Sequence, residues 1–415
     1  MSTSTTEIVS EVEWLPPLRP GWKFRPLWSM FERIKDVDHP DEQMLSVFRD
    51  HGVVAKDSRD NLNRTAENRS IYQLVHPGWL VTNRMKAWQG SVGISTLRGI
   101  VSGHYICFAP RHQEDPRYLN WLFRSPPYTY AYALLSRGVR IGQVEIDNDG
   151  YRLLPVLLPP VAEQRAIADY LDRETARIDR LIEEQQRLIE MLRERRQAVI
   201  RSSVPDPKSG STASDKLGRH TRIGNGSTPR REEMSFWSNG HIPWLNSAVV
   251  NQDRVSVATQ FVTDQAVAKC HLPLVPAGSI LVALTGQGKT RGKATVLDIE
   301  ATINQHMAYV VPEIEHWNSE YLLWCLTAAY GELRAVSDEN GSTKGALTCE
   351  DLKQFRVAQV PLDEQRRIVA DLDEQTAKID TLIAETETFI ELARERRSAL
   401  ITAAVTGQID VREVA

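Results

Sequence analysis

Two long stretches of the sequence carry apolar residues at helical spacing and contain neither proline nor glycine. The first runs from Glu163 to about Arg201, and the second follows Pro361. Strong helix formers dominate both, and proline before each stretch is tolerated only at a helix start. The pattern predicts helices over residues 159–203 and 359–404. Each has a heptad-like apolar stripe: Leu171, Ile178, Leu181, Ile182, Leu188, Ile189 and Leu192 in the first, and Leu372, Ile379, Leu382, Ile383, Phe389 and Ile390 in the second.

The two stretches are copies of each other, displaced by 201 residues. Aligned without a gap, residues 160–204 and 361–405 share 23 identities in 45 positions. Fainter similarity precedes each copy, because Pro77–Val81 resembles Pro276–Val282 and Tyr118–Trp121 resembles Tyr321–Trp324. A duplication of this length indicates a chain built from two equivalent halves, each a globular domain followed by a helix.

Neither helix can bury its stripe alone. Antiparallel packing of the two within one chain is the economical solution, and pairing with another chain in an oligomeric coiled coil is the alternative. In the globular halves, strand-favouring runs such as Ile71–Thr82 and Ile280–Thr285 alternate with turn signals and short helical segments. We therefore predict a mixed α/β fold, with two globular domains in a pseudo-twofold arrangement separated by two long antiparallel coiled-coil helices.

Composition supports a folded protein of more than one domain. A chain of 415 residues exceeds what one hydrophobic core normally spans, and 41% hydrophobic and 25% charged residues are ordinary for globular proteins. No apolar run is long enough to cross a membrane and the polar start lacks signal-peptide features, so we expect no membrane contact and a cytoplasmic location. The four cysteines lack CxxC spacing, which predicts reduced thiols and no zinc framework.

Positive charge is concentrated in two parts of a chain whose net charge is −4. Between Asn68 and Val144 nine basic residues accompany only Glu114 and Asp115, and between Asp264 and Asp298 every charged residue is a lysine or arginine. Two interpretations stay open here. These stretches could form surfaces for a polyanion such as nucleic acid, or ordinary surfaces whose acidic partners lie elsewhere in the sequence.

Two segments resemble catalytic motifs but lack necessary parts. Gly286–Thr290 is similar to a phosphate-binding P-loop, yet Ala283 stands where the motif needs glycine, and the following residues predict a strand where the motif needs a helix. Ser125–Tyr128 matches the tetrapeptide of amino-methyltransferases, but no glycine-rich donor loop accompanies it, so a helix stop is the better interpretation. Metal-hydrolase and serine-hydrolase motifs do not occur in the sequence. We predict no catalytic residue and no metal site.

The repeated helices and the loops before them resemble the specificity subunits of type I restriction–modification systems, nearly end to end. The motif Pro-x-x-Glu-Gln-Arg-x-Ile begins both helical copies, and Ile-Asp pairs follow in each. The segments that carry the resemblance are Asn83–Gly90, Pro160–Ile167, Ile178–Asp179, Gly226–Pro229, Ile242–Trp244, Thr285–Thr290, Ile303–His306, Pro361–Ile368, Ile379–Asp380 and Ala404–Asp410.

The resemblance implies a non-catalytic subunit that binds double-stranded DNA. Each of two target recognition domains would read half of a split, asymmetric site, and the paired helices would set the gap. Two methyltransferase subunits and restriction or motor subunits would be the partners, with S-adenosylmethionine, ATP and magnesium on those partners only. The implied segments are target recognition domain 1 at 1–158, helix 1 at 159–203, a linker at 204–215, target recognition domain 2 at 216–358, helix 2 at 359–404 and a tail at 405–415.

Candidate contact residues follow from the chemistry of base edges, which are read by arginine, lysine, asparagine and glutamine. Scaffold or phosphate-binding roles for the same residues stay open. The tryptophans Trp88, Trp237 and Trp244 are expected in the core, and Arg193, Arg196, Arg394 and Arg397 are candidates for partner contacts. The DNA-contact candidates are Asn83, Arg84, Lys86 and Gln89 in the first half, and Thr228, Arg230, Gln287, Lys289, Thr290, Arg291, Lys293, Asn304 and Gln305 in the second.

Two other functions compete with this one. The chain could be a methyltransferase that acts through Ser125–Tyr128, or a coiled-coil interaction protein that binds no DNA. Binding of S-adenosylmethionine to the isolated chain would favour the first alternative. If the chain binds DNA, loss of Arg84 or Lys289 should weaken the binding and flatten its dependence on salt concentration. Absence of any such dependence would favour the second alternative.

Overall fold

A computed structural model describes residues 13–58, 69–140, 143–210, 212–286, 289–339 and 345–414. The chain divides into two compact units, and both boundaries fall inside the long helices. The first unit comprises residues 1–186 and 388–415, and the second comprises residues 187–387. Each unit therefore contains one globular domain, the start of one long helix and the end of the other.

The first unit is built around a four-stranded antiparallel sheet with the order β2-β9-β6-β7. Four further antiparallel pairs surround it: β1 with β12, β3 with β4, β5 with β8, and β10 with β11. The strands are β1 Lys23–Pro26, β2 Phe31–Ile34, β3 Leu45–Phe48, β4 Gly52–Ala55, β5 Gln73–Val75, β6 Leu80–Asn83, β7 Val92–Ile94, β8 Gly99–Val101, β9 Tyr105–Pro110, β10 Ser136–Arg140, β11 Gln143–Ile146 and β12 Pro155–Leu158.

Helices cover this sheet and lead out of the domain. Helix α2 begins where the Asp115 carboxylate accepts hydrogen bonds from the backbone N–H groups of Arg117 and Tyr118, with proline as its first residue. One core joins the domain to both long helices, since Leu158 and Leu171 share it with Val405. The helices are α1 Leu27–Met30, α2 Pro116–Phe123, α3 Pro126–Leu134, α4 Asn148–Leu153 and the long α5 Val161–Ser203.

The second unit contains a five-stranded sheet with the order β14-β21-β18-β19-β16. A three-stranded sheet, β17-β15-β20, and the pair β13-β22 complete it; pairing is antiparallel except between β16 and β19 and between β15 and β20. The strands are β13 Ser214–Lys216, β14 Thr221–Asn225, β15 Ile242–Leu245, β16 Arg254–Val255, β17 Phe261–Val262, β18 Ile280–Ala283, β19 Ala294–Leu297, β20 Thr302–Ile303, β21 Met307–Pro312 and β22 Arg356–Ala358.

The second unit's core likewise extends onto the long helices, where Ile200 and Leu372 join Leu217 and Val357. Asn318 caps the helix that covers the sheet by accepting from the backbone N–H of Tyr321. The helices that follow α5 in the chain are α6 Asp264–Lys269, α7 Ser319–Ala328, α8 Tyr330–Glu339, α9 Cys349–Gln354, the long α10 Leu362–Val405 and α11 Val411–Val414, the last in the first unit.

The duplication extends through both globular domains. Four neighbouring strands follow one order in both units, β2-β9-β6-β7 in the first and β14-β21-β18-β19 in the second. In each, the strand that opens the domain pairs with the strand directly before the long helix. Gly78 and Gly278 precede the equivalent strands β6 and β18 with φ of 86° and 84°, a left-handed conformation that favours glycine. The faint sequence echoes therefore mark true structural equivalence.

The long helices pack antiparallel inside each unit. In the first unit Leu171 shares a core with Ile401, and further along α5 Asp179 pairs with Arg397. In the second unit Arg193 of α5 pairs with Glu387 of α10, and the later Arg196 pairs with the earlier Asp380. Ile200, later still in α5, shares a core with Leu372, which is earlier still in α10. The mixed α/β fold and the antiparallel helices are confirmed. No helix in the described ranges is both long and apolar enough to span a bilayer.

Candidate nucleic-acid interface

A cleft in the first domain is lined by three of the four contact residues that were predicted in the first half, Asn83, Lys86 and Gln89. Strand β6 ends at Asn83, whose side-chain oxygen accepts from the backbone N–H of Met85 at 3.1 Å and so forms the turn that follows. A short 3₁₀ helix, Ala87–Gln89, ends at Gly90 with φ of 86°. The cleft has a volume of about 770 Å³, and its lining includes Arg49, Asn83, Lys86, Trp88, Gln89 and Tyr105.

Arg84 lies in the same turn but is held inside the domain. Its guanidinium pairs with the carboxylate of Glu145, and its Nε is buried with no hydrogen-bond partner among the residues that the structure describes. Three other arginines of this basic stretch also pair with acids from distant parts of the chain: Arg98 with Glu42, Arg111 with Glu32, and Arg117 with Asp169. For these arginines the ion pairs favour the interpretation as ordinary surface charge, because the fold brings their acidic partners to them.

Trp88 corrects one expectation. It was assigned to the core, yet 40% of its surface is exposed and its ring lines the cleft. The indole N–H donates to the carbonyl of Met85 at 3.1 Å, which fixes the ring on the turn. Tryptophan at such a position offers a flat apolar face to solvent, as stacking residues of single-strand and flipped-base sites do.

Three loops predicted as contact segments meet in the second domain. The Thr228 hydroxyl donates to the side-chain oxygen of Gln305 at 2.5 Å, and the adjacent His306 ring lies 3.1 Å from the hydroxyl of Thr285. Gly226 permits this approach, because a Cβ there would lie 1.7 Å from the carbonyl oxygen of Ile303. The loops therefore form one polar surface.

Asn304 and Arg291 stabilise these loops from inside. Each is 5% exposed. Asn304 accepts from the backbone N–H of His306 at 3.0 Å, and Arg291 donates to the carbonyl of Gly345 at 2.6 Å. Since a buried side chain cannot reach a base edge, this placement favours the scaffold role for both residues.

The other cations of this segment face outward. Lys289 is exposed, and Lys293 donates to the side-chain oxygen of Asn251 at 3.0 Å. Both line a cleft of about 510 Å³ that also includes Arg196 and Asp380 of the long helices. Thr290 packs beside Gly286 and is half-buried, and Arg230 is exposed. Gln287 lies outside the described residues.

Arg231 is a candidate that the sequence reasoning missed. Its guanidinium lies 4.2 Å from the ring centre of Trp237 and 5.0 Å from that of Trp244, and it donates to Gln260 at 2.9 Å. The two indole N–H groups in turn donate to the carbonyls of Arg230 and Ser227. Trp244 is buried, as expected, and Trp237 is half-buried. Arg231 is exposed, and these contacts hold its guanidinium in place. The sequence feature that could have indicated it is the pair of tryptophans that follows the basic residues Arg230 and Arg231.

The glutamine of the repeated Pro-x-x-Glu-Gln-Arg motif joins each domain to its helix. Gln164 and Gln365 are fully buried. The Gln164 side chain accepts from the backbone N–H of Asp115 at 2.9 Å and donates to the carbonyl of Pro159 at 2.8 Å. Gln365 repeats both bonds with Asn318 and Val360. Because Asp115 and Asn318 cap α2 and α7, the motif fixes a domain helix to the start of a long helix.

The helix arginines chosen as partner contacts mostly pair within the chain. Arg196 lies 2.8 Å from Asp380, Arg397 lies 2.8 Å from Asp179, and Arg193 lies 3.1 Å from Glu387. These pairs bridge α5 and α10. Arg394 is exposed.

Neither segment that resembles a catalytic motif, Ser125–Tyr128 or Gly286–Thr290, has the surroundings that the motif requires. Ser125 is buried between α2 and α3 and donates to the carbonyl of Leu122 at 2.7 Å, and the buried Tyr128 hydroxyl donates to the carbonyl of Pro155 at 2.8 Å. Burial raises the pKa of Tyr128 well above its usual value. The predicted helix stop is confirmed, since α2 ends at Phe123. The P-loop-like segment joins strands β18 and β19, as its sequence predicted.

Comparison with known proteins relates part of the chain to one family. Residues 219–391 match the family described as type I restriction modification DNA specificity domain. The chain is 25% identical over 243 residues to the type I restriction enzyme EcoR124I/EcoR124II specificity subunit of Escherichia coli, covering 57% of this chain and 58% of that protein. It is 28% identical over 151 residues to the MjaIX specificity subunit of Methanocaldococcus jannaschii, covering 35% and 33%. The matches thus span less than two thirds of either relative.

Solved structures share the fold over almost the whole chain. One solved structure comes from work on complex assembly and conformational transition of the type I R-M system. It matches with a TM-score of 0.75 at 17% identity, covering 95% of this chain and 99% of that one. The HsdS subunit from Thermoanaerobacter tengcongensis has a TM-score of 0.58 at 17% identity, with the same coverage. The predicted resemblance is confirmed: residues 219–391 match the type I restriction modification DNA specificity domain family, and the chain has the fold of a solved HsdS subunit.

Proposed function

We propose that this chain is the DNA-recognition subunit of a type I restriction–modification complex. Each globular domain reads one half of a bipartite, asymmetric site in double-stranded DNA, and the paired helices set the distance between the halves. One observation carries the proposal. The contact segments chosen separately in the two halves, residues 83–90 and 285–293, lie in the equivalent connection of each domain, between β6 and β7 and between β18 and β19.

Two equivalent loops, one in each domain, could each contact one half of a split DNA site. Each connection carries exposed cations or amides, with Lys86 and Gln89 in the first domain and Lys289 in the second. Lysine neutralises phosphates, whereas amides and arginines read base edges in the major groove. The non-equivalent residues around them, Trp88 in one domain and Arg231 in the other, are the kind of difference that would make the two half-sites unlike.

The long helices are suited to hold partner subunits. In the first unit Phe389 and Leu392 lie on one face of α10 and remain exposed. In the second unit Leu382 of α10 and Met191 of α5 are also exposed. Large apolar side chains on a helix surface mark protein–protein contact sites. We assign these apolar residues to contacts with two methyltransferase subunits, and Arg394, on another side of α10, stays a separate candidate for a partner contact. We expect restriction or motor subunits to join the same complex.

The chain itself is not an enzyme in this proposal. The side chains of Ser125 and Tyr128 are buried and bonded to backbone carbonyls, so a substrate amine cannot reach them. S-adenosylmethionine, ATP and magnesium are expected on the partner subunits only. A role on cellular DNA places the complex in the cytoplasm.

Co-expression with the cognate methyltransferase subunit tests the proposal. Adenine methylation would be mapped across a plasmid with and without this chain, and S-adenosylmethionine binding to the isolated chain would be measured by calorimetry. We expect a split, asymmetric methylated motif that requires the chain, and no binding of S-adenosylmethionine. Methylation at the same sites without the chain would refute the recognition role, and tight binding of the methyl donor would favour an enzyme.

A further inference from the structure

A group of metal-ligating side chains lies at the edge of the second domain, away from its loops. His220 directly precedes β14, and Glu313 directly follows β21, the strand paired with it. The Glu313 N–H donates to the carbonyl of His220 at 3.0 Å, and the His316 N–H donates to the carbonyl of Glu313 at 3.0 Å. The strand pairing and the turn after it therefore bring all three side chains together.

The donor atoms converge. One imidazole nitrogen from each histidine and a carboxylate oxygen all lie within 4.8 Å of one another. His220 Nδ1 is 3.1 Å from a carboxylate oxygen of Glu313, and the two imidazole rings stack with centres 3.7 Å apart. Within the described part of the chain, the ion pair of Glu313 is with His220 rather than with a lysine or arginine.

We propose that His220, Glu313 and His316 bind a single divalent transition-metal ion of the zinc type. Two imidazoles and one carboxylate are a common protein donor set for Zn²⁺, which takes a fourth ligand from water. Calcium and magnesium prefer sites made of oxygen alone, so the two nitrogens select against them. The site is separate from the proposed DNA-binding loops, and the inference does not depend on them.

To close the site the two imidazole rings rotate out of their stack, because a bound ion lies in the plane of each ring. Bonds of about 2.0–2.1 Å to a tetrahedral ion place donor atoms roughly 3.4 Å apart. Rotation of the stacked rings about their side-chain bonds and a shift of the exposed Glu313 side chain supply this contraction.

The first domain provides an internal contrast. At the equivalent place, the Arg111 N–H donates to the carbonyl of Met30 at 2.7 Å, which matches the bond between Glu313 and His220. The equivalent of His316 is Glu114. Methionine, arginine and glutamate do not form a zinc site, and Arg111 pairs with Glu32. The ligand set is therefore particular to the second domain and is not a requirement of the shared fold.

The site also adjoins the junction between the second domain and α10. The carbonyl of His316 accepts from the side-chain amide of Gln365 at 2.9 Å. A bound ion would cross-link β14, β21 and the turn that receives this amide. We therefore expect Zn²⁺ to raise the midpoint of thermal unfolding of the full-length chain.

Calorimetric titration of the untagged full-length chain with ZnCl₂ tests the proposal, with Co²⁺ absorption as a report of tetrahedral coordination. One ion per chain is expected, and H220Q, H316Q and E313Q should each weaken binding by roughly tenfold or more. Glu313 is exposed, so E313Q keeps the test valid if a histidine variant unfolds. H241Q is the control, since the ion-pair partner of His241 among the described residues is Asp264 and not a second histidine. Absence of binding, or binding that the three substitutions leave unchanged, would overturn the site.

Discussion

Arg397 on α10 lies 2.8 Å from Asp179 on α5, and each residue is the repeat copy of a member of the pair formed by Arg196 and Asp380. Asp380 stands 201 positions after Asp179, and Arg397 stands 201 positions after Arg196. One ion pair is thus made twice with the roles of the helices exchanged. The duplicated sequence encodes its own antiparallel register.

A double-mutant cycle on this pair should detect a modest coupling. We expect D179A and R397A to interact by about 0.5–1 kcal/mol in urea unfolding, because both side chains are partly exposed to solvent. The cycle on Asp380 and Arg196 should give a similar value. Zero coupling in both cycles would show that the apolar stripe alone sets the register.

Loss of the buried motif glutamine should be far more costly. Q365L leaves the backbone N–H of Asn318 and the carbonyl of Val360 without their partners, and we expect about 2–3 kcal/mol of lost stability, with the same for Q164L. Urea unfolding followed by circular dichroism measures both. Q186L, on an exposed position of α5, is the control and should stay within about 0.5 kcal/mol of the parent chain. A neutral Q365L would contradict the structural role of the motif.

Lys86 and Arg84 should differ in how they affect DNA binding. K86A removes an exposed cation and should reduce the slope of log affinity against log salt by roughly one. R84A should change the slope much less, because Glu145 already neutralises that arginine. Fluorescence anisotropy of the assembled complex with a duplex, over a salt series, makes the comparison. An equal loss of slope in both variants would show that the Arg84 pair opens on DNA.

Arg231 should contribute to the sequence read by the second domain. R231K keeps the charge but loses the planar group that stacks on Trp237, so discrimination at one base pair should fall by about 1–3 kcal/mol. The methylated motif, mapped in cells, reports the change in one half-site only. R219K, at an exposed arginine paired with Asp215, is the control. An unchanged motif would assign Arg231 to the scaffold.

The cysteines should separate into two reactivity classes. Burial raises the pKa of Cys107 and Cys325 to about 12, so almost no thiolate exists at pH 8 and neither should react with a disulfide reagent in the native chain. Cys270 and Cys349 are half-buried free thiols. We expect at most two thiols to react before unfolding and all four afterwards. Three or more reactive thiols in the native chain would contradict the core assignment.

The helical part of the fold could be predicted from the sequence, because a gapless duplication and a long apolar stripe are strong signals. The helices are observed at Val161–Ser203 and Leu362–Val405, close to the predicted 159–203 and 359–404. The equivalence of the sheets could not be predicted, since strands of two to six residues carry little periodicity. The faint similarities of Pro77–Val81 to Pro276–Val282 and of Tyr118–Trp121 to Tyr321–Trp324 indicated equivalent halves but not the order of the strands.

The candidate site was predictable as segments but not residue by residue. The loops around Thr228, Thr285 and Gln305, which were chosen separately as contact segments, lie together in the second domain. The burial of Arg291 and the pairing of Arg84 with Glu145 depend on contacts between residues 54 and 61 positions apart in the chain, which local sequence does not encode. The exposure of Trp88 was also not predictable from local sequence. It results from the position of its turn, which follows the end of β6 and lines the cleft. The predicted domain boundaries and individual DNA contacts stay predictions.

The most direct test of the central claim is to exchange one domain at a time. Residues 1–158 or 216–358 would be replaced by the matching domain of a specificity subunit with a different target, and adenine methylation would be mapped with the same methyltransferase subunit. The account predicts that each exchange changes one half of the methylated motif and leaves the other half and the gap length unchanged. A motif altered in both halves by either exchange, or in neither, would contradict it.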